Sequence, residues 1–461
     1  MRVAVEASDE VRWIRAAWTD EILPSPPDPK RFDGRSLVLI VSDALGASHL
    51  HCYGAEQETS PHLDRLAAEG ARFLRAYSQT SWTTPSVTSL FSGLTQEEHG
   101  VRDVGLRLKP DIRTVAESFR ARGDRTAAFV QNPILDKEIG LDRGFEDYQV
   151  VAGEGSDDVA RRAVDFLRAR KTGERFFVYV HLLPPHSPYT PPAPFRDRFA
   201  RTSSPEIDGS QASIQRVNQV KPGPGDAPAQ KLLSLYRANV AYSDSIVGSI
   251  VAELKELGLE RRSVVVHTSD HGEAFAQHGY VGHNLHVFEE MVHVPLIVWA
   301  PGSAVPPGTR VSSPVSLLDL RPALEQWFGL ENGDRDSRPL PWLDRVLREP
   351  ARTRSRAQLL SARYLQGGPI HLAVLAHPFK WIFNPANGNG ALIHLPDDPT
   401  EKGDCAPRFP LVARVLRHEL EAWRLGVAPI DESLRYTLDS DEKARIEAIG
   451  YAMEDEVRSR K

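Results

Sequence analysis

The chain has 461 residues, 41% of them apolar, enough for one large core or a core with a small subdomain. Its 56 basic and 62 acidic residues leave a net charge of −6, which argues against a basic phosphate-backbone footprint, so no nucleic-acid partner is expected. Only Cys52 and Cys405 are present, which gives no disulfide framework and fits a reducing compartment.

The N-terminus, MRVAVEASDEVRWIRAAW, carries charges where a secretory leader needs an uninterrupted apolar stretch. No apolar run reaches the roughly 18 residues that a membrane span requires, so none is expected. The chain as given reads as cytoplasmic, or as periplasmic or extracellular if a leader has been removed.

Residues 1–35 form an appendage and a Pro-rich linker, LPSPPDPK, in which the missing amides disfavour helix and strand. Ser36-Leu-Val-Leu-Ile-Val41 is a short continuous apolar run, the pattern of a strand buried on both faces of a parallel sheet. It ends in the polar pair Ser42-Asp43. Helical periodicity follows over 62–76, with Leu63, Leu66, Ala67 and Phe73 on one face, and again over 111–122, 157–170 and 231–257. Residues 125–131 and 175–181 supply further apolar strands, as does 262–268, which ends in Ser269-Asp-His-Gly272.

This alternation predicts an α/β fold with a doubly wound, mostly parallel sheet over 36–345. Residues 201–230, rich in Ser, Pro, Gly and Gln without periodicity, read as a long excursion. Residues 346–461 read as a smaller C-terminal α+β subdomain. There 371–377, 380–383 and 391–395 look like antiparallel strands, the last two joined by NPANGNG, and a helix spans about 411–425.

Asp43 and the pair Asp270-His271 sit at strand ends on one sheet edge, where ligand sites of open α/β sheets collect. Two carboxylates and one imidazole without a thiolate make a hard-to-borderline divalent metal site. A strand-terminal Asp by itself is as often a cap, but two adjacent ligand-type residues at that edge need a partner. Ser81-Trp-Thr-Thr-Pro-Ser86 places hydroxyls ahead of a helix starting near Pro85. That is ordinary helix-start grammar, and also a way to hold an anionic ester beside a nucleophilic hydroxyl.

Several motifs now stand in order: Leu37 to Asp43, Tyr53-Gly54, Ser60-Pro-His-Leu-Asp-Arg-Leu-Ala-Ala-Glu-Gly70, Thr83-Thr-Pro-Ser86, and His99-Gly-Val-Arg-Asp103. His181-Leu-Leu-Pro-Pro-His186, Thr268-Ser-Asp-His-Gly-Glu273, Gln277-His-Gly-Tyr-Val-Gly-His283 and Ala444-Arg-Ile-Glu-Ala-Ile-Gly450 follow. From about residue 36 to the C-terminus this series resembles the sulfatase family of the alkaline phosphatase superfamily. The resemblance implies that Asp43, Asp270 and His271 hold one divalent ion (Ca, Mn, Mg or Zn). It places Thr83 on the nucleophile that also touches the metal, and His186 and His283 on the groups that handle ester oxygens and leaving group. Many sulfatases carry a lysine at His283; an imidazole there can still donate a proton. His278 and His286 read as loop histidines and are left out of the site.

Three departures shape the expected chemistry. Sulfatases mature Cys or Ser in a Cys/Ser-x-Pro-x-Arg motif to formylglycine, whereas this window is Thr83-Thr-Pro-Ser-Val87, so no formylglycine is expected. The paired Asp after the first strand is Asp43-Ala44. A second-metal pair one helical turn apart is missing, because Asp244 is followed by Gly248; Val104 replaces a polar residue as well. The expectation is a metal-dependent hydrolase of sulfuric or phosphoric esters with an unmodified Thr nucleophile, phosphate ester or diester favoured. Its substrate would be a small-molecule, glycan or lipid ester. The alternatives are a phosphoryl-group transferase using the same residues and a catalytically inactive, sulfatase-like binding protein. Oligomeric state is not legible.

Overall fold

The computed structural model describes residues 31–153, 155–200, 204, 206–330, 342–348, 356–362, 364–365, 368–369 and 371–451. Most of the N-terminal appendage lies outside them. Nine strands form the main sheet: β1 Ser36–Ser42, β2 Ala71–Tyr77, β3 Arg125–Val130, β4 Asp147–Val150, β5 Phe176–Leu182 and β6 Ser263–Thr268, then β9 His293–Trp299, β10 Thr309–Val311 and β11 Val315–Ser316. A small hairpin, β7 Ala274–Phe275 with β8 Val281–Gly282, follows β6. The order is β10-β2-β9-β6-β1-β5-β3-β4, with β11 also on β2. All pairings are parallel except those of β9 with β2 and β6. β1 lies centrally, parallel to β5 on one side and to β6 on the other, with Val41 opposite both His181 and Thr268. The carboxyl ends of β1, β5 and β6 thus lie side by side, on the edge at which open α/β sheets bind ligands.

Seven consecutive buried residues in β1 reflect helices on both faces. Leu37, Leu39 and Val41 face one core, with α2 (Thr83–Ser92), α3 (Val115–Ala121) and α7 (Leu320–Trp327). Val38 and Ile40 face the other core, with α1 (Pro61–Glu69), α4 (Ser156–Arg168) and α6 (Ala227–Glu256). The start of α3 is set by Thr114 and Glu117, whose side chains and backbone amides cap each other, so the helix begins later than residue 111.

Two expectations are corrected. The helix over 62–76 stops at Glu69, and the remainder is strand β2. A Cβ on Gly70 would stand 2.3 Å from the Val298 carbonyl oxygen, so this close approach to β9 admits only glycine and ends the helix. Phe73 therefore packs in the opposite core from Leu63 and Leu66. The excursion at 201–230 is also not without structure: α5 (Gln211–Gln219) lies within it, capped by Ser210, which accepts from the Ser213 amide. Residues 201–203 and 205 are outside the described set.

The C-terminal part contains the expected antiparallel sheet, ordered β12 (Gln358–Ser361), β15 (Leu372–Ala376), β16 (Phe379–Asn384), β17 (Asn389–His394), with the hairpin β13–β14 at Tyr364–Leu365 and Gly368–Pro369. Helix α8 (Pro410–Gly426) covers one face through Val412, Leu416 and Leu420. The other face packs on Tyr77, Ala274, Val287, Met291 and Val292 of the main body. The chain then returns: α9 (Ser440–Ala448) and Tyr451 join the core of the main sheet through Ile446 and Ile449. Among the described residues no helix is long and apolar enough to cross a membrane.

Candidate active site

The strand register brings all six residues expected at the site together. Asp43 follows β1, Thr83 opens α2, His186 follows β5, Asp270 and His271 follow β6, and His283 follows β8. All are buried. Thr83 Oγ1 lies 3.4 and 3.5 Å from the Asp43 oxygens and 3.2 Å from His271 Nε2. His271 Nε2 is in turn 3.5 Å from Asp43 Oδ1 and 3.6 Å from Asp270 Oδ2. These separations are long for hydrogen bonds. They suit donors around one ion, since ligand distances of about 2.1–2.4 Å set neighbouring donors roughly 3.0–3.5 Å apart. Asp270 Oδ2 is buried and has no hydrogen-bond partner, which is what a cation would satisfy. Asp43, Asp270, His271 and Thr83 could therefore hold a divalent ion.

The surroundings orient each of these groups. Asp43 Oδ2 accepts from Asn132 Nδ2 at 2.6 Å and pairs with His181 Nε2 at 3.0 Å, and His181 Nδ1 meets the Tyr179 hydroxyl at 2.7 Å. Asp43 Oδ1 is left facing Thr83 and His271. The His271 Nδ1 donates to the Gly272 carbonyl at 2.9 Å, the tautomer that frees Nε2 as a ligand. Ala44 sits at φ 58°, unusual for a residue with a Cβ; its amide donates to Asp270 Oδ1 and its carbonyl accepts from Tyr236. This bend swings the backbone away directly after Asp43.

Burial alone would push the Asp43 carboxyl up, but the imidazoles of His186, His181 and His271 outweigh it and hold Asp43 well below the usual range. Asp270 moves the other way, raised by burial and by the Asp43 charge. Two carboxylates this close cannot both stay charged cheaply, so the pair is poised for a cation. His186 is held neutral by burial. Its Nδ1 donates to the Ser187 carbonyl at 2.6 Å, so its unpartnered Nε2 is an acceptor.

Four residues at the site carried no role in the sequence reading, His181 among them although it opens the His181–His186 motif. Asn132 could have been found from its place at the carboxyl end of β3, on the same sheet edge. Glu273 closes the Thr268–Glu273 motif, and its Oε1 is 2.9 Å from His283 Nδ1. Burial raises Glu273 to about 7. Tyr451 comes from the chain's last described segment, and no local signal marks it. Its hydroxyl is 2.9 Å from Thr83 Oγ1 and 3.2 Å from His283 Nε2. Glu273, His283, Tyr451 and Thr83 thus form one hydrogen-bonded line.

Asp244 serves as a helix cap: its carboxylate accepts from the His62 and Leu63 amides at 3.1 and 2.8 Å, at the start of α1. A Cβ on Gly248 would stand 2.4 Å from the His62 ring, so no larger side chain fits there. Burial pushes the Asp244 carboxyl up to about 7, against an unfolded value of about 4. The folded chain then keeps a proton that the unfolded chain releases across that window, so this group costs stability as pH rises through it. Asp244→Asn cannot ionise, and its melting temperature is expected to gain on the parent between pH 5 and pH 8. A difference that stays flat with pH would refute the assignment.

The sulfatase family model matches residues 35–330, well over half of the chain. Among curated relatives, the uncharacterized sulfatase YidJ of Escherichia coli is 23% identical over 335 residues, covering 63% of this chain and 67% of that protein. Arylsulfatase K of Bos taurus is 24% identical over 345 residues, covering 65% and 63%. The match thus spans about two thirds of these relatives' length. Among solved structures, BT4656 in complex with its substrate D-glucosamine-2-N,6-O-disulfate superimposes with a TM-score of 0.71 at 18% identity, covering 85% of this chain and 97% of that one. The phosphonate monoester hydrolase of Agrobacterium radiobacter gives 0.68 at 19%, covering 88% and 100%. The family model and the structural matches agree with the ordered motifs and the sheet: the chain belongs to the sulfatase family and has the fold of the alkaline phosphatase superfamily.

Proposed function

We propose that this protein is a metal-dependent hydrolase of sulfuric or phosphoric esters that uses Thr83 as an unmodified nucleophile, with phosphate esters or diesters favoured. The observation that carries the proposal is the position of Thr83 Oγ1, between the Asp43/His271 donors and the Tyr451–His283–Glu273 line. A divalent ion, when bound, would lower the hydroxyl's pKa and offset charge on a nonbridging ester oxygen.

The chain's own residues supply the rest. Thr83 and Thr84 open α2, where no intrahelical carbonyl can reach their amides; the Thr83 amide meets the Tyr451 oxygen, and the helix start favours an anionic ester beside it. Thr83 Oγ1 attacks phosphorus or sulfur in line as its proton passes to Tyr451, while Tyr451 gives its own proton to His283 Nε2. Glu273 holds the His283 ring with Nδ1–H toward it and stabilises the imidazolium so formed, in the manner of a nucleophile–base–orienter triad. The leaving alkoxide takes its proton from the His283 imidazolium. Water, oriented by the acceptor Nε2 of His186, then attacks the threonyl ester and gives its proton to His283, and the line through Tyr451 carries a proton back to the released Thr83 oxygen. In its present tautomer His186 accepts rather than donates, so leaving-group protonation falls to His283.

Val87 and Val104 occupy apolar core positions where sulfatases place an arginine and a polar residue. With those anion contacts replaced by apolar side chains, a singly charged group such as a diester suits the site better than a dianion. A sulfate monoester is singly charged too, so the preference for phosphorus over sulfate rests on the absence of Cys or Ser at position 83.

The test is turnover of an aryl sulfate, an aryl phosphate and an aryl phosphodiester by chelated and remetallated protein, with Ca, Mn, Mg and Zn each restored in turn. The diester should be hydrolysed at least about ten-fold faster than the sulfate, a difference of about 1.4 kcal/mol in barrier, and only by remetallated protein. Intact mass should show unmodified Thr83. No turnover of any ester would sink the reading, and a faster sulfate would sink the preference.

A further inference from the structure

The connection from β7 to β9 carries a second group of donors. His278 Nδ1 lies 2.7 Å from Glu290 Oε1, and His278, His286 and Glu290 each offer a ligand atom within 4.8 Å of the others. His286 is only 6% exposed, yet neither of its ring nitrogens has a hydrogen-bond partner, and His278 Nε2 has none either. A neutral imidazole always carries one N–H and one lone pair. Burying both unsatisfied costs about 1–3 kcal/mol for each. Phe288 walls the group, stacked on His278 with centroids 3.6 Å apart and 4.6 Å from the His286 ring. His371, from the segment just before β15, stands 6.2 Å from His286 on the C-terminal side.

A hydrogen bond between His278 and Glu290 explains two members of this cluster. It leaves His286 unexplained, because nothing among the described residues satisfies that ring. We propose that His278, His286 and Glu290 bind a second divalent ion of the zinc class, at a site separate from Asp43, Asp270 and His271. Two imidazoles and one carboxylate select Zn²⁺, Co²⁺ or Ni²⁺ over Ca²⁺ or Mg²⁺, which want oxygen donors. Zn²⁺ and Co²⁺ would therefore enter both sites, whereas Ca²⁺ and Mg²⁺ would enter only the oxygen-richer one at Thr83.

The location gives such an ion a positioning task. His283 lies between His278 and His286 in the chain, so an ion joining those two side chains would tether both ends of the turn that carries it. Glu290 is also packed against the first site: the Gly272 amide donates to the Met291 carbonyl at 2.6 Å, and a Cβ on Gly272 would stand 2.1 Å from the Glu290 carbonyl oxygen. Holding Glu290 thus holds the backbone next to His271. The metal site stands without the reaction proposed above; only its effect on His283 rests on that reading.

The experiment is metal stoichiometry of the full chain. Protein stripped by chelation is titrated with Co²⁺, followed by visible absorption, and with Zn²⁺, followed by elemental analysis after desalting. The parent should take up two equivalents, Asp270→Asn one, and His278→Gln or His286→Gln one, with the affected site weakened roughly 10- to 100-fold or more. Circular dichroism and the melting transition establish that each variant is folded, and Glu290→Gln gives the same readout should a histidine variant not fold. Two equivalents retained at parental affinity in the three loop variants would overturn the proposal. So would a parent that binds a single equivalent abolished by Asp270→Asn. Failure of the ester-hydrolase reading would leave unchanged the one equivalent that Asp270→Asn keeps and His278→Gln loses.

Discussion

Thr83→Ala is expected to lower kcat by roughly 10⁴-fold or more on whichever ester the protein turns over, because the bond-forming atom is removed. Thr83→Ser keeps an Oγ in the same place and should stay within about ten-fold of the parent, a difference of about 1.4 kcal/mol in barrier. The pair separates chemistry from packing, since Thr83 is fully buried beside Trp82 and Tyr451 and any truncation there also leaves a small cavity. Tyr451→Phe removes only the hydroxyl that links Thr83 to His283. It should cost about 10²-fold in kcat, the lower end of general acid–base contributions, with KM little changed. Parental rates in Thr83→Ala would show that another group attacks. Parental rates in Tyr451→Phe would show that the proton takes a different route.

Lys380→Met should destabilise the fold by about 3–5 kcal/mol, the cost of leaving buried charges without their partner. Lys380, on β16, is fully buried; its Nζ lies 3.2 Å from Glu289 and 2.8 Å from Glu401. Glu289 also accepts from the Tyr77 hydroxyl, and the Glu289 amide donates to Glu401. This ion triad therefore fastens the C-terminal sheet to the segment that leads into β9. Burial raises Glu401 to about 7 even with the lysine present. Without the cation Glu401 protonates more readily still, so the deficit should shrink as pH falls from 8 to 5. Denaturant unfolding of parent and variant across that range checks both magnitude and sign. A loss under about 1 kcal/mol would mean that the apolar layer of Tyr77, Val287, Met291, Ala373 and Ile382 holds the sheet unaided.

Much of the site was visible in the sequence because its residues occupy locally readable places. Asp43, Asp270 and His271 stand directly after runs of buried β-branched residues, and Thr83 stands at a helix start marked by hydroxyls and Pro85. Less local features misled or gave nothing. The 62–76 stretch has helical spacing throughout, yet Gly70 meets Val298 across the sheet, and that contact turns its second half into a strand. Asp244 looked like half of a missing metal pair, and only the packing of α6 on α1 shows it capping a helix. His286 looked like a solvated loop residue until its burial, with both nitrogens unsatisfied, marked it out.

By itself the sequence determined the family resemblance and the parallel sheet, and it named six residues that the fold brings to one sheet edge. Hydrophobic period and strand-end chemistry are properties of a few neighbouring residues and survive without knowledge of the rest of the chain. The tertiary structure alone decided that Tyr451 reaches Thr83 across 368 positions of chain. It also decided that Asn132 and His181 secure Asp43 and that Glu273 orients His283. These are pairings between distant segments, set by how two cores and a returning C-terminal helix pack around one sheet edge. No periodicity records them, because each depends on where another element lies.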